Sequence, residues 1–284
     1  MFTWHTRTYI MGILNITPDS FSGDGLWHEG DVVAAAVAQA QQFVSDGADI
    51  LDIGAESTRP GSTPVTAEEE LARVIPIVKA VRHAVAVPIS IDTYRAEVAR
   101  AALDAGADWI NDVWGLQMDD GMAGLVAERG CPVVIMHNRS KPKDARQEER
   151  LGGRYVGVHY DDLFADISRE LQECIALAHS AGVKDEQIIL DPGIGFGKTV
   201  PQNLQLLNGL HHFRALGYPL LVGASRKSFI GYTLDLPPDE RVEGTAATVA
   251  VAIARGADII RVHDVKVMAR VARMTDAIVR EKKD

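Results

Sequence analysis

The sequence alternates between short apolar runs and longer amphipathic segments, and this alternation constrains the fold more than any other feature. Eight runs are rich in β-branched and other apolar residues, and each is followed by a segment with helical periodicity or polar loop character. Continuous apolar runs of this length are typical of strands that are buried on both faces of a parallel sheet. The eight runs are residues 9–16, 49–55, 88–93, 109–113, 132–137, 187–191, 219–224 and 258–263.

The segments between the runs have the apolar spacing of amphipathic helices. Thr66 and Glu69 form a capping-box pattern ahead of one of them, which predicts where that helix begins. Pro76 lies inside the same segment and predicts a kink or a split in the helix. Eight such alternations predict the α/β class and a single (β/α)8 TIM barrel, with an open doubly wound sheet as the main alternative.

Length and composition fit one domain that carries no large basic surface. The 284 residues suit a single barrel over residues 1–284, and the polar segments 138–157 and 235–243 are interpreted as solvated loops within it. A net charge of −10 argues against a general nucleic-acid binder. No apolar run is long enough for a signal peptide or a membrane span, and the two cysteines suggest free thiols. We therefore expect a cytoplasmic protein with no membrane or nucleic-acid partner.

Every predicted strand leads into polar residues, and in a barrel the catalytic groups gather at the carboxyl ends of the strands. A single polar end is equally well explained as a helix cap, but eight together favour a functional site. The polar residues in question include Asn15, Glu56, Asp92, Asn111, Asp112, His137, Asn138, Asp191, Ser225, Arg226, Lys227, Arg261 and His263.

The glycine-rich segment 191–199 (DPGIGFGKT) matches neither of two familiar nucleotide-binding patterns. A P-loop requires glycine five positions before Gly197, where this chain has Pro192. The dinucleotide pattern G-x-G-x-x-G fails because Lys198 takes the place of its last glycine. We interpret the segment as a tight turn whose backbone closely approaches a flat ligand, and an ordinary glycine-rich turn is the alternative.

The sequence resembles the dihydropteroate synthase family. The matching stretches occur in family order and together span residues 11 to 265. Pterin-dependent methyltransferase domains share part of the pattern, and a pterin-binding protein without activity is a further alternative. The stretches are MGILNITPDSFS (11–22), DIGAESTRPG (52–61), ISIDT (89–93), INDV (110–113), VIMH (134–137), ILDPGIGFGKT (189–199), GASRKSFIG (223–231) and GTAATVAVAIARGADIIRVHDV (244–265).

The resemblance implies a transferase of folate biosynthesis. Its substrates would be 6-hydroxymethyl-7,8-dihydropterin diphosphate and p-aminobenzoate, and its products 7,8-dihydropteroate and diphosphate. A dissociative substitution at the pterin methylene carbon, assisted by Mg²⁺, would need no covalent nucleophile. The family also implies a homodimer.

The resemblance assigns the pterin edge to the carboxylate of Asp191. It places Ser225 at the carboxylate of p-aminobenzoate and Asn15 at the Mg²⁺ ion. The residues implied as catalytic are Arg59, Asp92, Lys227, Arg261 and His263. Those implied to bind substrate are Thr58, Asp92, Asn111, Val113, Met136, Asp191, Phe196, Ser225, Lys227, Arg261 and His263.

Two further expectations concern the diphosphate and the loops over the second substrate. Arg261 and His263 are two residues apart on a strand, so their side chains are predicted to share a face and form an anion site. By resemblance, residues 16–27 and 56–64 close over p-aminobenzoate. The first of these loops reads SFSGDG where the family commonly has SFSDGG, so Asp24 is shifted by one position and its pairing with Arg59 is left open.

Overall fold

The computed structural model describes residues 2–16, 32–56, 65–156 and 158–280. Within them eight parallel strands form one sheet, in the order Ile188–Asp191, Val133–Met136, Trp109–Asp112, Ile89–Asp92, Ile50–Gly54, Tyr9–Asn15, Ile259–Val262 and Leu221–Val222. A parallel bridge between Leu190 and Leu220 joins the two outer strands, so the sheet closes into a barrel. The ten strands are β1 (Tyr9–Asn15), β2 (Ile50–Gly54), β3 (Ile89–Asp92), β4 (Trp109–Asp112), β5 (Val133–Met136), β6 (Ala145–Arg146), β7 (Arg154–Tyr155), β8 (Ile188–Asp191), β9 (Leu221–Val222) and β10 (Ile259–Val262).

The TIM barrel prediction is confirmed, and each of the eight predicted runs contains one barrel strand. The open doubly wound sheet is wrong because the bridge leaves the described sheet with no free outer strand. That residues 1–284 form one domain stays a prediction.

Nine α-helices lie in the described ranges. The capping box at Thr66 and Glu69 is present, with both reciprocal N–H···O bonds at 3.2 Å. The following helix is continuous through Pro76, so the predicted split does not occur. The helices are α1 (Val32–Ser45), α2 (Ala67–Ala84), α3 (Ala96–Asp104), α4 (Met122–Arg129), α5 (Leu163–Ser180), α6 (Val200–Asn208), α7 (Ser228–Leu234), α8 (Val242–Ala254) and α9 (Val265–Val279).

Aromatic side chains close the amino-terminal end of the barrel. The ring of Phe2 packs in T-shaped contacts with Tyr9, at 4.7 Å, and with Trp109, at 5.1 Å, measured between centroids. Trp4 stacks on Phe2 at 5.4 Å. These rings pack against the apolar side chains inside the barrel. The opposite end, where the strands have their carboxyl termini, is the one that carries the polar residues.

The two segments interpreted as solvated loops are mostly exposed or half-buried, which agrees with that interpretation, but they also contain ordered contacts that tie them into the fold. Residues 138–156 contain the antiparallel pair β6–β7 and a short 3-10 helix, Pro142–Asp144. In the second segment the side chain of Arg241 is buried. Its guanidinium donates to the carbonyl oxygens of Leu151, Arg226 and Leu236 at 2.9 to 3.1 Å.

Cys131 and Cys174 are buried and unpaired, as predicted. None of the helices in the described part of the chain combines the length and the apolar character that crossing a membrane requires.

Candidate active site

Arg261 lies at the centre of a charged cluster at the carboxyl end of the barrel. From β10 it donates through Nε to Asp52 on β2 at 2.5 Å and through Nη2 to Asp92 on β3 at 2.6 Å. The amide of Asn111 on β4 donates to the same Asp52 oxygen at 3.0 Å. The structure therefore brings together Asp92, Asn111 and Arg261, three residues that the sequence resemblance assigned to the site.

Asp52 belongs to this cluster, although no role for it was predicted from the sequence. Its side chain is fully buried, and its Oδ1 has no hydrogen-bond partner within the described residues. The signal in the sequence is a charged residue inside the apolar run ILDIG (50–54), since a carboxylate in a strand buried on both faces needs a specific partner.

Burial and like charges oppose ionisation of the Asp92 carboxyl. The pKa of Asp92 is raised to about 7, mainly by burial. The charge of Arg261 opposes this shift, and the nearby charge of Asp52 adds to it. Burial also opposes the charge of Arg261, but Asp52 and Asp92 outweigh it and raise the pKa of Arg261. The guanidinium is thus a fixed cation, while burial favours the neutral form of the Asp92 carboxyl.

A second buried carboxylate, Asp191, ends β8 beside Lys227. Its Oδ1 accepts a hydrogen bond from the Gly193 amide at 2.7 Å. Burial raises the pKa of Asp191, and the charge of Lys227 opposes this shift. Lys227 donates to the Ile194 carbonyl and lies 4.4 Å above the Phe196 ring, and burial lowers its pKa to about 8.

The glycine segment is a tight turn, as predicted, but its close approaches are to protein atoms. The φ angles of Gly193, Gly195 and Gly197 are +73°, +84° and +59°. A Cβ at Gly193 would lie 1.9 Å from the carbonyl oxygen of His137, and one at Gly197 would lie 2.4 Å from the carbonyl carbon of Arg139. Gly193 and Gly197 are required because the turn packs directly on the chain that follows β5.

Ser225 and His263 pair with each other across neighbouring strands. The Ser225 hydroxyl lies 2.9 Å from Nδ1 of His263 and accepts from the His263 backbone amide at 3.2 Å. The next residue, Arg226, has a φ of +55° and donates through Nε to Asp264 at 2.9 Å. Arg261 in β10 and His263 just after it therefore have different partners. Arg261 donates to two carboxylates, whereas His263 pairs with Ser225.

The remaining predicted residues lie around this carboxyl end of the barrel or outside the described residues. Asn15 is half-buried at the end of β1, and Val113 and Met136 are buried at the ends of β4 and β5. Thr58 and Arg59 lie outside the described residues, as do the shifted Asp24 and most of both predicted closing loops.

Comparison with known proteins gives consistent results. The profile of the family described as pterin binding enzyme matches residues 11–263. A dihydropteroate synthase of Clostridium beijerinckii is 50% identical over 275 residues, covering 96% of this chain and 95% of that protein. The dihydropteroate synthase of Bacillus subtilis is 49% identical over 276 residues, covering 97% of this chain and 90% of that protein.

Solved structures give the same result. A Clostridium difficile dihydropteroate synthase in the presence of pteroic acid has a TM-score of 0.89 at 47% identity, covering 99% of this chain and 100% of that chain. The Xanthomonas albilineans dihydropteroate synthase with 4-aminobenzoic acid has a TM-score of 0.87 at 43% identity, covering 97% of this chain and 94% of that chain. A complex of the same protein with 7,8-dihydropteroate has a TM-score of 0.84 at 39% identity, covering 97% and 95%.

Proposed function

The chain belongs to the pterin-binding enzymes and, among them, to the dihydropteroate synthases, which are transferases, and we propose that it joins a dihydropterin diphosphate to p-aminobenzoate. The products would be 7,8-dihydropteroate and diphosphate. The observation that carries this proposal is the arrangement at the carboxyl end of the barrel, where the charges of Asp191 and Lys227 influence each other and Arg261 donates to both Asp52 and Asp92. Solved relatives that hold pteroic acid, 4-aminobenzoic acid or 7,8-dihydropteroate support the choice of substrates.

Asp191 is the group best suited to the pterin edge. The Gly193 amide fixes its orientation and uses one acceptor position, so the carboxylate can still accept the two parallel N–H bonds of a 2-amino-pterin. Lys227 would donate to the pterin carbonyl side. Asn111 and Asp92 would satisfy other polar ring positions, and the apolar contacts would come from Val113, Met136 and Phe196.

The diphosphate would be received by cations at the same end of the barrel. Arg261 has five N–H donors and commits two of them to Asp52 and Asp92, so its guanidinium can also bind phosphate oxygens. His263 lies two residues further along the chain and would contact the outer phosphate. Together they would stabilise the charge that develops on the leaving diphosphate.

The donor set fits a Mg²⁺ ion that arrives with the diphosphate. The amide oxygen of Asn15 is a hard ligand, and Mg²⁺ commonly keeps several waters and binds substrate phosphates. The described residues contain no group of three His, Cys, Asp or Glu side chains that could hold a metal. Asn15 would therefore hold the ion together with the substrate, and the ion would neutralise negative charge on the diphosphate.

The substitution itself needs positioning more than a nucleophile from the protein. Ser225, held by His263, would bind the carboxylate of p-aminobenzoate and direct its amine towards the pterin methylene carbon. The C–O bond to diphosphate breaks, the dihydropterin ring delocalises the positive charge, and the amine forms the new C–N bond and releases a proton. Thr58 and Arg59 would complete the site over the second substrate and exclude water.

We also propose that the protein is a homodimer that pairs through α8 and α9. Val267, Met274 and Ile278 are 41%, 63% and 67% exposed on one face of α9, and Val251 of the adjacent α8 is 42% exposed. The spacing of seven and four residues places the α9 side chains in one stripe. An apolar stripe of this kind is typical of a contact between protein surfaces.

The decisive experiment is turnover of both substrates by the purified protein, with and without Mg²⁺. We expect release of diphosphate together with formation of 7,8-dihydropteroate, and we expect Lys227→Met to abolish both. Binding of the pterin diphosphate without turnover would instead identify an inactive pterin-binding protein. Methyl transfer that depends on a corrinoid would identify the methyltransferase alternative.

A further inference from the structure

Lys198 lies beneath the glycine turn, in the segment whose sequence excludes a P-loop, and it has no role in the site described above. Its side chain is 2% exposed. Its ammonium donates to the carbonyl oxygens of Gly193 and Phe196, both at 2.9 Å, and contacts Nδ1 of His137 at 3.0 Å. An ammonium group has three N–H donors, so this contact set satisfies all of them.

His137 connects this ammonium to α5. Because Lys198 donates to Nδ1, the imidazole proton lies on Nε2, which donates to Glu170 at 2.9 Å. Burial lowers the pKa of His137 to about 4, so the ring stays neutral and can accept from Lys198. Glu170 is held in turn by the guanidinium of Arg139 at 2.9 Å. The turn is thereby tied to a long helix through one continuous chain of polar contacts.

The 193–196 turn that Lys198 holds makes three of the contacts around Asp191 and Lys227. Its Gly193 amide orients Asp191, its Ile194 carbonyl accepts from Lys227, and its Phe196 ring lies under the Lys227 ammonium. The two carbonyls held by Lys198 are at the beginning and the end of this four-residue turn. A displacement of the turn would therefore move Asp191 and Lys227 relative to each other.

We propose that Lys198 is a positioning residue for pterin recognition, which clamps the 193–196 turn so that Asp191 and Lys227 converge on the pterin. The inference rests on the proposed function and assigns a role to a residue that does not itself touch the substrate.

The charge of Lys198 supports the same role. The pKa of Asp191 depends on the burial of its carboxylate and on four nearby groups, which are Lys227, the Gly193 amide, Lys198 and Arg261. Burial raises the pKa of Asp191, whereas Lys198 lowers it, so the lysine favours the ionised form that accepts hydrogen bonds. Burial holds the pKa of Lys198 well below its usual value, and Lys227 and Arg139 act in the same direction, whereas Asp191, Glu170 and the three acceptors around its ammonium favour the protonated state.

The test compares wild type with Lys198→Met, which keeps the aliphatic stem and removes the donors and the charge. Calorimetry with the pterin diphosphate and Mg²⁺ should show a dissociation constant raised at least about tenfold, the equivalent of about 1.4 kcal/mol. This increase in the dissociation constant should be larger at low pH, because Asp191 should become protonated at a higher pH in Lys198→Met than in wild type. At saturating pterin diphosphate, the KM for p-aminobenzoate should change less than about threefold.

A matched control separates positioning from general loss of stability. The two carboxylate oxygens of Asp276 accept from the Thr8 amide and hydroxyl, at 2.7 and 2.8 Å, at the opposite end of the barrel, and Asp276→Asn replaces one of these oxygens by an NH2 group. It should lower the thermal midpoint without changing pterin affinity at temperatures where the protein is folded. Nitrogen NMR provides a second readout, because Nδ1 of His137 should lose its donor in Lys198→Met.

The outcomes that overturn the inference are distinct from failure of the proposed function. If the wild type binds the pterin diphosphate and folded Lys198→Met binds it within twofold, Lys198 does not position the site. If the wild type itself does not bind it, the proposed function fails, and the positioning role fails with it. Should Lys198→Met not fold, Glu170→Gln weakens the far end of the same chain. It should raise the same dissociation constant about threefold, and an unchanged constant would count against the clamp.

Discussion

At the residue scale, the barrel mouth concentrates carboxyl groups that only specific partners can hold there. Asp52, Asp92 and Asp191 are buried or nearly so, and the structure provides Arg261 and Lys227 beside them. Burying a charge costs several kcal/mol, and the attraction of a nearby opposite charge often does no more than offset this cost, so ligand binding explains these groups better than stability does. A site arranged in this way suits a substrate that has donors on one side and a diphosphate on the other.

Asp191→Asn should weaken pterin binding far more than capture of p-aminobenzoate. A carboxylate can accept two charge-assisted hydrogen bonds from the pterin edge, each worth about 1.5–3 kcal/mol, whereas an amide presents an N–H to one of the donors. Calorimetry should show pterin affinity reduced about 100-fold or more. An unchanged pterin affinity would remove Asp191 from this role.

Asp92→Asn should change how stability depends on pH in the substrate-free protein. Burial raises the pKa of Asp92 from 3.8 to about 7, so the folded state binds this proton more tightly than the unfolded chain. Unfolding free energy should therefore fall as the pH rises from about 4 to about 7, by at most about 4 kcal/mol from this group. The asparagine side chain does not titrate, so the decrease should be smaller in the variant. Urea denaturation at about pH 5 and about pH 7.5 measures both slopes, and identical slopes would contradict the elevated pKa.

The residues that sequence reasoning missed act through other residues. Asp52 is an acidic residue within an apolar run, and its role depends on Arg261, which is 209 positions away in the sequence. Lys198 drew attention only as part of a nucleotide-binding pattern, and its acceptors are carbonyl oxygens and one imidazole nitrogen. Polar strand ends can be predicted because each directly follows an apolar run in the sequence. Asp52 and Lys198, in contrast, meet Arg261 and the imidazole only in the folded barrel.

At the element scale, a buried arginine organises the segments that were interpreted from the sequence as loops. Arg241 precedes α8, and its guanidinium holds the carbonyl of Leu151 between β6 and β7 and that of Arg226 beside Ser225. Gly231 of α7 leaves room for it, since a Cβ there would lie 2.1 Å from Nη2 of Arg241. One side chain thus connects the β6–β7 pair to the predicted p-aminobenzoate subsite.

Arg241→Met should loosen both segments together. It removes the donor from the buried Leu151 carbonyl, at a cost of about 1–3 kcal/mol, and from the half-buried carbonyls of Arg226 and Leu236, so the unfolding free energy should fall by about 2 kcal/mol or more. Hydrogen–deuterium exchange should increase in residues 145–155 and in residues 225–228, while β1 to β4 stay protected. Arg255→Met serves as a control, because that side chain is exposed and pairs with Asn208. Faster exchange in only one of the two segments would contradict the coupling.

The strand positions were predicted correctly because a strand of a parallel barrel is buried on both faces, and its sequence is therefore a continuous apolar run. The 138–157 segment has mostly polar residues, and its two strands have two residues each, so no periodicity reveals them. What orders this segment is contact with distant residues, such as the bond from the Tyr232 hydroxyl to the Gly152 carbonyl at 3.1 Å. Such order depends on single side chains, which composition does not identify.

At the scale of the whole molecule, the two ends of the barrel have different roles. Rings from the amino-terminal segment close one end, and Asp258 there accepts from the His5 and Leu220 amides at 2.9 and 3.1 Å. The other end carries the polar strand ends. A net charge of −10 therefore coexists with a local group of cations, because Lys227 and Arg261 are half-buried near carboxylates at the carboxyl end of the barrel.

The exposed apolar stripe on α9 makes the predicted assembly testable at this scale. Met274→Arg together with Ile278→Arg places two cations in the stripe, and burying them in a dimer contact would cost several kcal/mol. Sedimentation at micromolar concentration should show a dimer for wild type and a monomer for the double variant. Leu177→Arg on α5, where the side chain is 39% exposed, should leave the dimer intact. A wild type that sediments as a monomer would contradict the homodimer, and a double variant that stays dimeric would place the contact elsewhere. Because the stripe lies on the outer side of a helix, the monomer should still unfold in one cooperative transition, with a thermal midpoint that no longer depends on protein concentration, which distinguishes a lost interface from a damaged fold.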